Sequence, residues 1–218
     1  MNKETDVSTM NDPHVLDLDH SVGERLPLDV YDADFDRRDS EVTGRASWKF
    51  ERLQHFRELD NESWDALDRG DWDESLRLLE GMREGLADAI RGEMSRGNPF
   101  HRVRVVAEPL TPYLQWELHG LRLQAECGRP TRVVRDEVIH PLEGERPLPE
   151  VVVLGGRTLY EVVYTEEGLL DSAVRFTDPE VVQRWEAFIE QLYKGGEDVV
   201  SYTDRYVFRL PPPRLAVD

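Results

Sequence analysis

Between Glu150 and Phe176 three segments rich in β-branched and aromatic residues follow one another with almost nothing between them. They are Glu150–Leu154, Thr158–Tyr164 and Leu169–Phe176, joined through Gly155-Gly156 and Glu166-Glu167-Gly168. Glycine supplies the positive φ that tight hairpin turns require, whereas parallel neighbours need a crossover of roughly a dozen residues. The spacing predicts an antiparallel meander, and the rest of the chain must find its core against that sheet. Gly155-Gly156 is not a phosphate loop, because no helix follows it.

Upstream, Arg102-Val103-Arg104-Val105-Val106-Ala107-Glu108 alternates in the same way until Pro109 stops it. The two-residue period puts Val103, Val105 and Ala107 on one side and Arg102, Arg104, Val106 and Glu108 on the other. Thr131–Val134 reads as a further strand. Trp48-Lys49-Phe50-Glu51-Arg52 reads as one with a single polar face, and Glu197–Leu210 adds a final one.

Three amphipathic helices are expected against the sheet. The first runs from Trp72 to Arg96, with Asp71 as N-cap, Glu74 completing a capping-box-like pair, and Gly97 and Pro99 beyond its end. Its stripe is Leu76, Leu79, Met82, Leu86, Ile90 and Met94, which makes the methionines core residues. Thr111 and Pro112 open the second, which leads to Gly128 through Leu114, Leu118, Leu121 and Ala125. Asp178 opens the third, Pro179–Tyr193, with Val181, Trp185, Phe188 and Leu192 inward. A shorter helical stretch begins at Asn61–Trp64 and ends near Gly70.

Charge restricts the function classes. The net charge is −18 over 218 residues, whereas binding to phosphate backbones rests on clustered Lys and Arg. Direct nucleic-acid binding and anionic membranes are therefore disfavoured. No run approaches the roughly 20 apolar residues of a membrane span, and neither a secretory pattern at the start nor a lipidation signal at the end is visible. Cys127, the single cysteine, fits a reducing cytoplasm, and its place near a predicted helix C-terminus disfavours a reactive thiolate. Residues 1–43 hold twelve acidic and four basic residues, a net −8, with few large apolar side chains. That composition predicts an acidic, largely disordered tail, in which Val30–Phe35 offers Val30, Tyr31 and Phe35 for docking on the body. The Asp32–Asp34–Asp36 run within it lacks the Gly and distal Glu of a calcium loop. No histidine pair has metal-ligand spacing, and neither a nucleophile elbow nor a Walker sequence is present. Neither metal nor cofactor is expected.

The run Arg104-Val-Val-Ala-Glu108-Pro-Leu-Thr-Pro-Tyr113-Leu-Gln-Trp116-Glu117, with Gly128 and Arg132-Val-Val behind it, resembles an actinobacterial family of unknown function, number six-eight-seven-nine among such domains. Tyr164-Thr-Glu-Glu-Gly168 and Thr177-Asp178-Pro179-Glu-Val-Val182 resemble that family's hairpin and last helix. The likeness covers roughly Ser47 to Tyr202. At Glu150–Gly155 the chain departs from the family's usual aromatic-rich strand. The resemblance implies small cytosolic proteins, often encoded near helix-turn-helix regulators, and no established activity.

One polar constellation stands out. Arg104 and Glu108 share a strand face by parity, and Tyr113, Trp116 and Glu117 fall at i, i+3 and i+4 on the next helix, with His119 close behind. A guanidinium flanked by carboxylates and a phenol can bind a small carboxylate or phosphate, do acid–base work, or simply fix a corner of the fold. The candidate ligand-binding residues are Arg104, Glu108, Tyr113, Trp116, Glu117 and Arg132.

The expected architecture is α+β: an antiparallel meander packed by about three amphipathic helices. Residues 1–43 form the tail, 44–210 a single domain and 211–218 a Pro-rich C-terminal tail. The expected function is a cytoplasmic regulatory module that binds a protein partner, such as a helix-turn-helix regulator, or a small ligand. The alternatives are an enzyme acting on a small molecule through the Glu/Tyr/Arg cluster, and an acidic DNA mimic or scaffold.

Overall fold

The computed structural model describes residues 13–144 and 146–213. In chain order the elements are β1 (Glu24–Pro27), α1 (Leu28–Glu41), β2 (Ser47–Glu51), α2 (Glu62–Asp68), α3 (Trp72–Gly81), α4 (Arg83–Ser95), β3 (Phe100–Val106), α5 (Pro112–Glu126), β4 (Thr131–Arg135), α6 (Asp136–Ile139), β5 (Glu150–Leu154), β6 (Thr158–Tyr164), β7 (Leu170–Phe176), α7 (Pro179–Gly195), β8 (Glu197–Asp198) and α8 (Val199–Tyr202). All eight strands form one sheet in the order β1-β7-β6-β5-β2-β3-β4-β8.

The meander β5-β6-β7 is antiparallel throughout. The sheet as a whole is mixed, which corrects the antiparallel expectation: β2, β3 and β4 run parallel. The connections decide this. α2, α3 and α4 lie between β2 and β3, and α5 lies between β3 and β4. Such helical crossovers return the chain in the same direction. The helices also number more than three.

One sheet face is closed by α7. Trp185, Phe188 and Ile189 pack there on Phe50, Val103, Val105, Val151 and Val153. Burial of each such side chain stabilises the fold by roughly 1.5–3 kcal/mol. The predicted caps of α3, α5 and α7 form: Asp71 accepts from the Glu74 N–H, Thr111 from Leu114, and Asp178 from Glu180 and Val181. The opposite face is shared. α1 covers β5, β6 and β7 through Tyr31 on Val152, Tyr160 and Val162. α5 covers β3 and β4 through Leu114, Leu118 and Leu121 on Val106 and Val133. Between these helices part of the sheet stays uncovered.

Four local expectations are corrected. Residues 24–41, read as part of a disordered tail, form β1 and α1. Their charge is consumed locally: the Asp34 carboxylate accepts from Arg37 (2.5 Å), Arg38 (2.9 Å), Arg175 (2.7 Å) and the Tyr160 hydroxyl (2.7 Å). The part of that expectation covering residues 1–12 lies outside the described residues. The long helix breaks at Met82, where Gly81 and Gly85 weaken helical preference. Met82 and Met94 are exposed rather than core. After the two-residue β8 the chain turns helical through Val207 instead of extending. Of the C-terminal tail, Pro211 is held by the Gln115 amide, which donates to its carbonyl at 2.8 Å. Residues 214–218 lie outside the described residues.

Candidate functional site

The register of the parallel strands builds the site. Lys49 stands beside Arg102 and Glu51 beside Arg104, and the alternation that sends Trp48, Phe50, Val103 and Val105 to α7 sends these four side chains to the other face. Four charged residues thus occupy adjacent positions on the part of the sheet that α1 and α5 leave open.

Beneath the opening lies a buried charge cluster. Arg104 has no solvent exposure. Its Nε–H donates to Glu117 Oε2 at 2.7 Å, and its Nη1 donates to the carbonyls of Glu51 (3.3 Å) and Val105 (3.1 Å). Glu150, at the start of β5, accepts the backbone N–H groups of Arg52 and Leu53, both at 2.6 Å. Burial works against the Arg104 charge, but Glu117, Glu51 and Glu150 overcome it and hold its pKa above the ordinary value. Burial also raises the Glu117 carboxyl, with Arg104 pulling the other way. One guanidinium stays charged among three carboxylates, and the cost of burial falls on the acids. Burial, reinforced by Glu51, pushes Glu150 up to about 7. Glu51 goes the other way. Burial raises it, yet Arg102, Lys49 and Arg104 together hold it well below the usual carboxylate range.

Above the cluster is a cavity of about 540 Å³. Lys49, Glu51 and Arg102 line its floor, Phe56, Tyr113 and Trp116 one wall, and Leu79, Met82 and Leu86 another. Lys49 Nζ lies 2.6 Å from Glu51 Oε1, and Arg102 Nη1 lies 3.4 Å from Glu51 Oε2. The aromatic wall is internally tied. Tyr113 donates its hydroxyl to Glu58 at 2.7 Å, the Trp116 indole N–H donates to Ser63 Oγ at 2.9 Å, and the Tyr113 and Trp116 rings are 5.6 Å apart. A second cavity of about 380 Å³ continues towards Phe35 and Phe100. A space of a few hundred Å³ with apolar walls and a few convergent polar groups suits a small molecule.

Of the residues singled out from sequence, Arg104, Tyr113, Trp116 and Glu117 come together, with Tyr113, Trp116 and Glu117 on the cavity and Arg104 directly below. Glu108 and Arg132 do not join them. β3 ends at Val106, so the strand parity does not extend to Glu108, which pairs with Arg135 at 3.2 Å on the surface. Arg132 is in register with Val103 and so faces α7, where its guanidinium lies 5.4 Å from the Tyr193 ring. His119 stands apart between the rings of Trp72 and Phe208, and burial with Arg122 lowers its pKa to about 4. Among the described residues no group of three or more His, Cys, Asp and Glu is placed to hold a metal ion, and no helix is long and apolar enough to cross a membrane.

Sequence reasoning missed Lys49, Glu51, Arg102 and Glu150. A signal for the first three was available: a strand followed by helices and another strand implies parallel neighbours, and pairing the two alternating segments in parallel aligns their polar faces. Glu150 carries no local signal, because its place in the cluster depends on β5 flanking β2.

Fold and site together define a mixed α/β domain whose helices part over the charged face of its sheet to leave a cleft of small-molecule size. Residues 33–204 match the family described as domain of unknown function (DUF6879), and the chain belongs to that family. No curated protein matches the chain.

Proposed function

We propose that the protein is a small-ligand-binding module and that the cleft between α1 and α5 is its binding site. One observation carries this reading: the 540 Å³ cavity is floored by Lys49, Glu51 and Arg102, charged groups on rigid strands, and walled by aromatic and aliphatic side chains. A site on strands whose charged groups already hold one another in place is preorganised, so little ordering entropy opposes binding. Catalysis is the weaker reading. Glu150, the acid poised near neutrality, does not line the cavity. Ligand occupancy would be the input to a regulatory role in the cytoplasm, with contact to a protein partner as the output.

The test is a fragment screen of small acids, amines and amides read by amide chemical shifts of the full chain. Hits should move Lys49, Glu51, Arg102 and Tyr164 together, and Leu86→Trp, which fills the cavity, should abolish those shifts. A screen that leaves these amides unmoved, or shifts that survive the filling substitution, would refute the reading.

A further inference from the structure

The two cavities meet at a neck. Asp32, Lys49, Arg102, Tyr164 and Leu170 line both of them. The neck is electrically asymmetric. On its floor two cations, Lys49 and Arg102, flank the Glu51 carboxylate. On the helix side Asp32 is exposed and makes neither a hydrogen bond nor an ion pair among the described residues. The floor is also underused. Arg102 Nε is buried with no hydrogen-bond partner among the described residues, and a buried donor without a partner carries a desolvation cost that a bound anion can offset. The Tyr164 hydroxyl likewise has no hydrogen bond among the described residues. The larger cavity begins at this neck and runs along Phe56 and Leu86.

Resting on the cleft as the binding site, we infer that the neck holds the headgroup of an amphoteric small molecule: a carboxylate on Lys49 and Arg102, an ammonium group on Asp32, and an apolar or aromatic substituent in the larger cavity. Each part has a physical reason. Lys49 and Arg102 side by side attract an anion, and the planar guanidinium fork of Arg102, its Nε without a partner, matches a carboxylate. The unpaired Asp32 carboxylate supplies the opposite charge across the neck. A molecule with a single charge satisfies one side and leaves the other without a partner, so the neck discriminates by requiring both. Glu51, held ionised by its cationic neighbours, keeps negative charge beside Lys49 and Arg102 and so disfavours a dianion such as phosphate.

Isothermal titration of the full chain with three probes that share an indole separates the terms: L-tryptophan carries both charges, indole-3-acetate only the acid, tryptamine only the amine. L-Tryptophan should bind at least about tenfold more tightly than either, which is what one charge-assisted hydrogen bond supplies. Arg102→Gln should bring L-tryptophan down to the affinity of tryptamine, and Asp32→Asn should bring it to that of indole-3-acetate. Asp32 is exposed, so D32N leaves the fold intact and keeps the test decisive even where R102Q lowers stability. A single-charge probe that matches L-tryptophan overturns the amphoteric assignment while leaving the cleft as a binding site. Failure of all three probes to bind overturns the assignment too, and the fragment screen then decides separately whether the cleft binds anything.

Discussion

Replacing Glu150 by Gln should make the protein's stability less sensitive to pH between 5 and 8, and should make the variant the more stable form at the upper end. Glu150 is almost completely buried, and its carboxyl is raised from 4.5 to about 7, first by burial and then by Glu51. A carboxyl whose folded pKa lies above its unfolded value binds its proton more tightly in the folded state. It therefore weakens the fold progressively as pH rises from the unfolded value to the folded one, and the loss is complete above 7. With these two values the penalty grows by about 2.5 kcal/mol between pH 5 and pH 8. Gln keeps the carbonyl oxygen that accepts from Arg52 and Leu53, and it removes the ionisation. For a chain of this size the difference corresponds to roughly 5–10 °C in melting temperature. The assay is thermal unfolding of both proteins at pH 5, 6, 7 and 8. Parallel curves, with the same offset at every pH, would refute the reasoning, because they would mean that Glu150 titrates alike in both states. Glu51 acts with the opposite sign. Its folded pKa is depressed, so its contribution is present above its ordinary value and lost as pH falls below it.

Arg104→Met should cost about 3–5 kcal/mol at pH 7, because it strands the buried Glu117 carboxylate without its hydrogen-bonded cation; urea unfolding measures this, and a smaller penalty at pH 5 is the accompanying signature. Trp185→Ala should destabilise by about 3–5 kcal/mol, since the indole is wholly buried between Phe50 and Phe188; an unchanged denaturation midpoint would contradict the assigned core. Asp34→Asn should loosen α1 by removing the negative charge and turning one of the two acceptor oxygens that serve Arg37, Arg38, Arg175 and Tyr160 into an NH2 donor, visible as faster amide exchange across residues 28–41 with little change in α7. Gly155→Ala should lower stability by more than about 1 kcal/mol, as φ there is +53° and an added Cβ would meet the Val42 side chain at 2.9 Å; a neutral substitution would argue against the turn as described.

What could be read from sequence was whatever local chemistry decides. The β5-β6-β7 meander, α5 and α7 follow from turn glycines, N-cap residues and apolar periodicity, all of which act within a few residues. Sheet order does not, because it depends on which distant strand a segment meets. Strand Ser47–Glu51 was legible as a strand, but its parallel pairing with Phe100–Val106 depends on the layer of helices between them. That pairing brings Lys49 and Glu51 beside Arg102 and Arg104. Glu108 illustrates the reverse error: parity was carried two residues beyond the strand's end. Tyr31 and Phe35 mark a docking segment in the sequence, but the order of residues 24–41 as a whole is hidden, because composition counts charges without their partners. Four groups converge on Asp34 from α1, β6 and β7, and that convergence exists only in three dimensions.

The pairing of β1 with β7 joins Leu26 to Ala173. Loop-closure entropy must be overcome before so distant a contact can form, so pairings of this kind form slowly. While the chain is being synthesised, α1 has no surface to rest on until β6 and β7 have emerged. The cleft loses one of its two walls for all of that time. A growing chain that stops short of β5 and α7 has neither the strand that flanks β2 nor the helix that closes the other face of the sheet, so the site comes into being only after α7 has emerged.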